Sequence, residues 1–143
     1  MTAKEYCEYS LKLRKEIGIK ENLVMTLKDI AEKETSSLNA VSVQSSSSKR
    51  GMADTVEAFT DMQDRLEKDK AQLKKMLLVI GTGIMNLEDP GQIEVLRVFY
   101  IDGLNGTRAI KKLRMTNTTV YKLRMEGLNR LKLEGDPLLL GKL

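Results

Sequence analysis

The stretch from Leu104 to Lys132, LNGTRAIKKLRMTNTTVYKLRMEGLNRLK, decides the fold. Asn105 and Thr116 carry short side-chain oxygens that can accept from the free N–H groups at a helix start, and each precedes a run with helical spacing. They predict one helix from Gly106 to Leu113 and a second beginning at Asn117. Leu104 and Met115, just before the caps, are placed to pack on Ala109 and Val120 one turn further in. Only Arg114 to Thr116 separate the two helices, so they must cross steeply. Ala109, Leu113, Met115, Val120 and Leu123 then face one another, and Leu128 and Leu131 extend the apolar stripe. Two helices joined this tightly, with the second free on its outer side, form a helix-turn-helix.

The outer side of the second helix carries Asn117, Thr118, Tyr121, Lys122 and Met125. These are side chains suited to base edges: Asn bonds adenine with two hydrogen bonds, Lys reaches guanine O6 and N7, and Thr or Met meets a thymine methyl. Base reading is therefore expected from Asn117, Thr118, Tyr121 and Lys122. Arg108, Lys111, Lys112, Arg114 and Arg124 are expected to hold phosphates. The charge distribution agrees. Between Leu104 and Glu134 there are eight cations and two anions, a net +6, while the remaining chain has 16 cations and 18 anions, a net −2. A basic segment beside a near-neutral one points to a localised polyanion-binding face.

Upstream, Glu88-Asp89-Pro90 restarts the chain after a long helix. Asp89 is a good cap, Pro90 suits the first helical position, and Gln92 can complete a capping box. A helix from there to about Ile101 has apolar residues on several sides, and Asp102-Gly103 ends it through a left-handed glycine. Residues 89–134 thus read as a three-helix head. Before it, Met52, Phe59, Leu66, Leu73, Ile80 and Leu87 recur every seven residues, with Val56, Gln63, Lys70, Leu77 and Ile84 interleaved. Such a seam needs a partner helix. Tyr6, Tyr9, Leu13, Ile17, Val24, Leu27 and Ala31 supply one in the first 34 residues. Residues 1–88 are therefore expected to form a long antiparallel helical hairpin, the two arms joined by a serine-rich flexible connector over 35–51. Pairing between two copies of the chain is the other way to satisfy the seam. Gly81 and Gly83 are expected to loosen the last turns of the second arm. Residues 135–143 form a tail, Pro137 stopping the helix, that packs back or lies at a dimer contact.

The segment from Pro90 to Lys132 resembles region 4 of bacterial sigma factors. With the opening MTAKEY, the serine-rich connector and the following MADTVEAFTDMQDRL, the chain is similar along almost its whole length to small prophage proteins of Gram-positive bacteria. These are the ArpU and RinA type of late-gene regulators. The resemblance implies a phage-encoded transcriptional regulator that binds double-stranded DNA near promoters in the bacterial host cytoplasm, with RNA polymerase as a further partner. It implies that the long helices serve assembly, homodimerisation included. Two positions depart from the pattern: Ile110 stands where a small Ala is usual at the crossing, and Arg114 where the turn usually has Gly.

Other functions have less in their favour. The chain has one cysteine and no histidine, so a disulfide framework, a structural zinc site and histidine-based catalysis are ruled out. No run reaches the ~18 apolar residues of a membrane span, and no cofactor or metal is expected. Asp54, Glu57, Asp61 and Asp64 form a carboxylate stripe of the kind that holds Mg²⁺ in all-α pyrophosphatases. They fall outward in the heptad frame, however, and an enzyme is not expected. Cys7 reads as a buried or idle thiol. The remaining alternative is a packaging or assembly protein, either a small terminase subunit or a coiled-coil adaptor.

Overall fold

The computed structural model describes the backbone of residues 1–41 and 46–140 and the side chains of residues 1–33 and 54–140. The fold is all-α: α1 (Ala3–Val41), α2 (Ser46–Met85), α3 (Pro90–Leu96), α4 (Gly106–Leu113) and α5 (Asn117–Arg130), with no strand among the described residues. A π-helical turn, Arg97–Ile101, continues α3, and a 3-10 turn covers Pro137–Leu140. No helix among the described residues is long and apolar enough to cross a membrane.

Both long helices run into the stretch expected to be a linker. Helical backbone extends to Val41 and resumes at Ser46, leaving only residues 42–45 of the serine-rich connector outside the described residues. Serine lowers helix propensity by only about half a kcal/mol per residue, and extending an existing helix costs far less than starting one. With four residues between them, the two helices double back.

The chain divides into two compact units, residues 15–71 and residues 1–14 with 72–143. This boundary differs from a hairpin ending at residue 88. In the first unit the arms are tied by Lys20–Asp69 at 3.3 Å and Glu21–Lys70 at 2.8 Å, with Glu67 also 3.7 Å from Lys70. The hydrogen bond from Lys70 to Glu21 holds its ammonium above the ordinary lysine range. Lys70 therefore fixes register from the rim of the seam rather than from inside it. Ile17 and Leu66 are buried in this unit, whereas Val56, Gln63 and Lys70 are exposed although they occupy seam positions. Ile19, Leu23, Met25 and Ile30 are exposed too. A pair of helices covers only one side of each arm, so much of this apolar surface stays open.

The second unit holds the main core. Tyr6, Cys7, Met76, Ile80 and Ile84 of the long helices are buried, as are Val95, Leu96, Val98, Phe99, Tyr100, Ala109, Leu113, Val120, Leu128 and Leu131. Asp89 caps α3, accepting from the backbone N–H of Gln92 at 3.0 Å. The π-helical turn explains the apolar residues on several sides of the third predicted helix. One extra residue per turn brings Val98, Phe99 and Tyr100, three in succession, to the interior.

The described part of the tail, residues 135–140, packs back. Tyr6 donates its hydroxyl proton to Asp136 at 2.6 Å, and Asp136 in turn accepts from the backbone N–H of Leu138 at 3.1 Å. Burial, with Asp136 alongside, raises the Tyr6 phenol. Burial pulls the Asp136 carboxyl upward as well, but the hydrogen bonds from Tyr6 and Leu138 and the charge of Lys75 outweigh it and leave it below its ordinary range. Burial pushes the Cys7 thiol up to about 12. Without thiolate at neutral pH, Cys7 is a packing residue.

Candidate nucleic-acid interface

The local chemistry of residues 105–120 assembles the site. Asn105 Oδ1 accepts from the backbone N–H of Arg108 at 3.1 Å, and Thr116 Oγ1 accepts from that of Thr119 at 3.3 Å, so both predicted caps start their helices. Between them Arg114 ends α4 in the left-handed region, φ 54° and ψ 36°. It is the single non-glycine residue with positive φ among the described residues. That conformation costs a residue with a Cβ about 1 kcal/mol. Arg114→Gly is expected to raise the unfolding free energy by about that amount, read as a shift in urea midpoint at constant m. An unchanged or lowered midpoint would show the turn to be unstrained.

Behind the turn, Ala109, Leu113, Val120, Leu128 and Leu131 are buried, while Met115 and Leu123 are half-buried. Gly127 sets the approach of α5 to α3: a Cβ there would stand 3.0 Å from Leu96 Cδ1. These contacts hold α5 by one side. On its other side Asn117, Thr118, Tyr121, Lys122 and Met125 are all exposed, Tyr121 at 63%. Thr118 and Lys122 also line a groove of about 440 Å³ with Asp89, Gln92, Thr119, Leu123, Glu126 and Arg130. The sequence reading missed this groove, because Asp89 and Gln92 come from α3 and its cap, some 30 residues away in sequence. A second groove, about 490 Å³, is lined by Gly83, Asn86, Leu87, Glu88, Arg130 and Lys132.

Of the five cations expected to hold phosphates, Arg108, Lys111, Lys112 and Arg114 are exposed on α4 and its turn. Arg124 is not among them. Its Nε donates to the Tyr100 hydroxyl at 3.0 Å, and its guanidinium carbon lies 4.6 Å from the Phe99 ring centre and 5.5 Å from that of Tyr100. This stacking on two buried rings turns Arg124 inward, where it braces α5 against the π-helical turn. Burial raises the Tyr100 phenol, and Arg124 opposes that rise. Lys112 is exposed but paired, its ammonium 3.1 Å from Asp102.

The acidic stripe on α2, Asp54, Glu57, Asp61 and Asp64, is exposed throughout. Among the described residues no three carboxylate or thiol groups converge as metal ligands would.

Comparison with known proteins gives one relationship. No curated protein and no solved structure matches the chain. A family model does, over residues 33–132, and its description is "Protein of unknown function (DUF1492)". That stretch takes in the end of α1, all of α2 and all of the capped helices that carry the exposed α5 face. By a match over well more than half its length, the chain belongs to the DUF1492 family.

Proposed function

We propose that this protein is a DNA-binding transcriptional regulator of prophage type that inserts α5 into the major groove of duplex DNA. Asn117, Thr118, Tyr121 and Lys122 read base edges, and Arg108, Lys111, Lys112 and Arg114 hold the backbone. The observation that carries the reading is the exposed polar face of α5 behind a tight, doubly capped turn, flanked by cations of α4. Arg114 adds weight to it. A residue with a Cβ kept at φ 54°, where Gly would cost less, is explained if its charge is needed at the turn. The resemblance to sigma region 4 and to late-gene regulators suggests host RNA polymerase as a partner and the bacterial cytoplasm as the location. The open apolar residues of the 15–71 unit, Ile19, Leu23, Ile30 and Val56, favour self-association of that unit.

The test is fluorescence anisotropy of labelled duplex DNA across a salt series. With about four phosphate contacts the log–log slope is about −3.6, so affinity falls roughly 150-fold between about 50 and 200 mM salt. Absence of duplex binding at about 50 mM salt would end the regulator reading. Light scattering separates it from the packaging alternative: a regulator is a monomer or dimer, a terminase-like subunit a large closed ring.

A further inference from the structure

We propose that Arg97 and Lys112 form a clamp for one backbone phosphate of duplex DNA, and that Asp102 occupies this clamp in the free protein as a stand-in for the phosphate. The proposal rests on the DNA-binding reading above and adds to it a binding residue, Arg97, and a built-in competitor.

Two cations from different elements converge on a single oxygen. Lys112 Nζ of α4 lies 3.1 Å from Asp102 Oδ2, and Arg97 Nη2 of the π-helical turn lies 3.6 Å from the same atom. The corner holding that carboxylate is fixed by its backbone. The N–H of Asp102 donates to the Arg97 carbonyl at 2.9 Å, and Arg14 Nη2 donates to the neighbouring Ile101 carbonyl at 2.8 Å. The cations remain open to solvent, Arg97 at 56% and Lys112 at 50% side-chain exposure, whereas Asp102 is at 26%. One anionic oxygen held between an ammonium and a guanidinium is also the arrangement that receives a phosphate oxygen.

The clamp continues the proposed backbone track. Arg108 and Lys112 are four residues apart on α4 and so lie on the same side of it. A solvent-exposed ion pair is weak and screened by salt. Phosphate contact on DNA gains in addition from counterion release, so a DNA strand displaces the Asp102 carboxylate. In doing so it must give up the Asp102 pairing, which lowers affinity in every sequence context alike. Removing the carboxylate therefore strengthens binding, and removing either cation weakens it.

The experiment measures binding of a random-sequence duplex by full-length wild type, Asp102→Asn, Arg97→Gln, Lys112→Gln and Glu94→Gln. The last changes net charge as Asp102→Asn does, at an exposed position on α3. Far-ultraviolet circular dichroism checks that each variant is folded. Asp102→Asn is expected to bind about three- to tenfold more tightly at about 50 mM salt, the gain shrinking as salt is raised. Glu94→Gln is expected to gain clearly less. Arg97→Gln and Lys112→Gln are each expected to reduce the steepness of the salt dependence by about one contact. If wild type binds and Asp102→Asn binds no tighter, or gains no more than Glu94→Gln, the clamp is refuted while the DNA reading stands. Unchanged affinity and slope in Arg97→Gln refute it likewise. If wild type and all variants fail to bind duplex, both readings fall together.

Discussion

Lys111→Glu combined with Lys122→Glu is expected to weaken duplex binding about a hundredfold at about 50 mM salt, close to 3 kcal/mol. Each substitution removes a favourable contact and places a carboxylate against the polyanion, and both act at the DNA surface. The effect should shrink as salt rises, since charges in solvent are screened over about 10 Å at 0.1 M. Both side chains are exposed, on α4 and α5, so unfolding free energy should stay within about 0.5 kcal/mol of wild type. The single variants should part company. Lys111→Glu weakens all sequences equally, as loss of a phosphate contact does, whereas Lys122→Glu also narrows the gap between the preferred site and random duplex. A double variant within twofold of wild type, at normal stability, would remove these helices from the interface.

Gly83→Val is expected to cost about 3 kcal/mol of unfolding free energy, the largest stability effect foreseen for a single substitution in this chain. A Cβ at this position would stand 2.6 Å from Leu133 Cδ2, 2.9 Å from the Lys132 carbonyl oxygen and 3.2 Å from Leu131 Cδ1. Leu133 can rotate away, but the Lys132 oxygen belongs to backbone that leaves α5 next to the buried Leu131. Gly81, two residues earlier in the same helix, has only Ile101 Cδ1 at 4.0 Å, and Gly18 of α1 has nothing within 4 Å. Gly81→Ala and Gly18→Ala should therefore be neutral or stabilising by up to about 1 kcal/mol. Urea unfolding of the three variants provides the comparison. A loss below 1 kcal/mol for Gly83→Val would mean that the segment after α5 yields easily.

That contrast shows where sequence reading stops. Both glycines read as helix-weakening residues near the end of α2, and propensity treats them alike. Only residues 131–133, nearly fifty positions later, distinguish them. Arg124 gives the same lesson at the candidate interface. By spacing it belongs with the phosphate-holding cations, since charge and position on α5 are all the sequence displays. Its direction is set by Tyr100 and Phe99, which the π-helical turn rotates inward. The turn itself has no signature in composition beyond apolar residues on too many sides of a short helix.

The caps at Asn105 and Thr116, the shortness of the turn between the helices and the exposed row from Asn117 to Met125 were all legible. Each depends on residues three or four apart, and at that range chain connectivity already fixes which groups can meet. The all-α class and the doubling back of two long helices follow from periodicity for the same reason. Which side chains those helices bury is another matter. Val56 fits the heptad and stands exposed, Met76 lies outside the seam and is fully buried, and Tyr6 finds Asp136 at 130 residues' distance. Local spacing determined the helical class, the starts of α3, α4 and α5 and the face left open on α5. Tertiary packing decided the direction of Arg124, the closeness at Gly83 and the pairing of Asp102 with Lys112, because those energies belong to contacts between groups that the sequence keeps far apart or leaves free to turn either way.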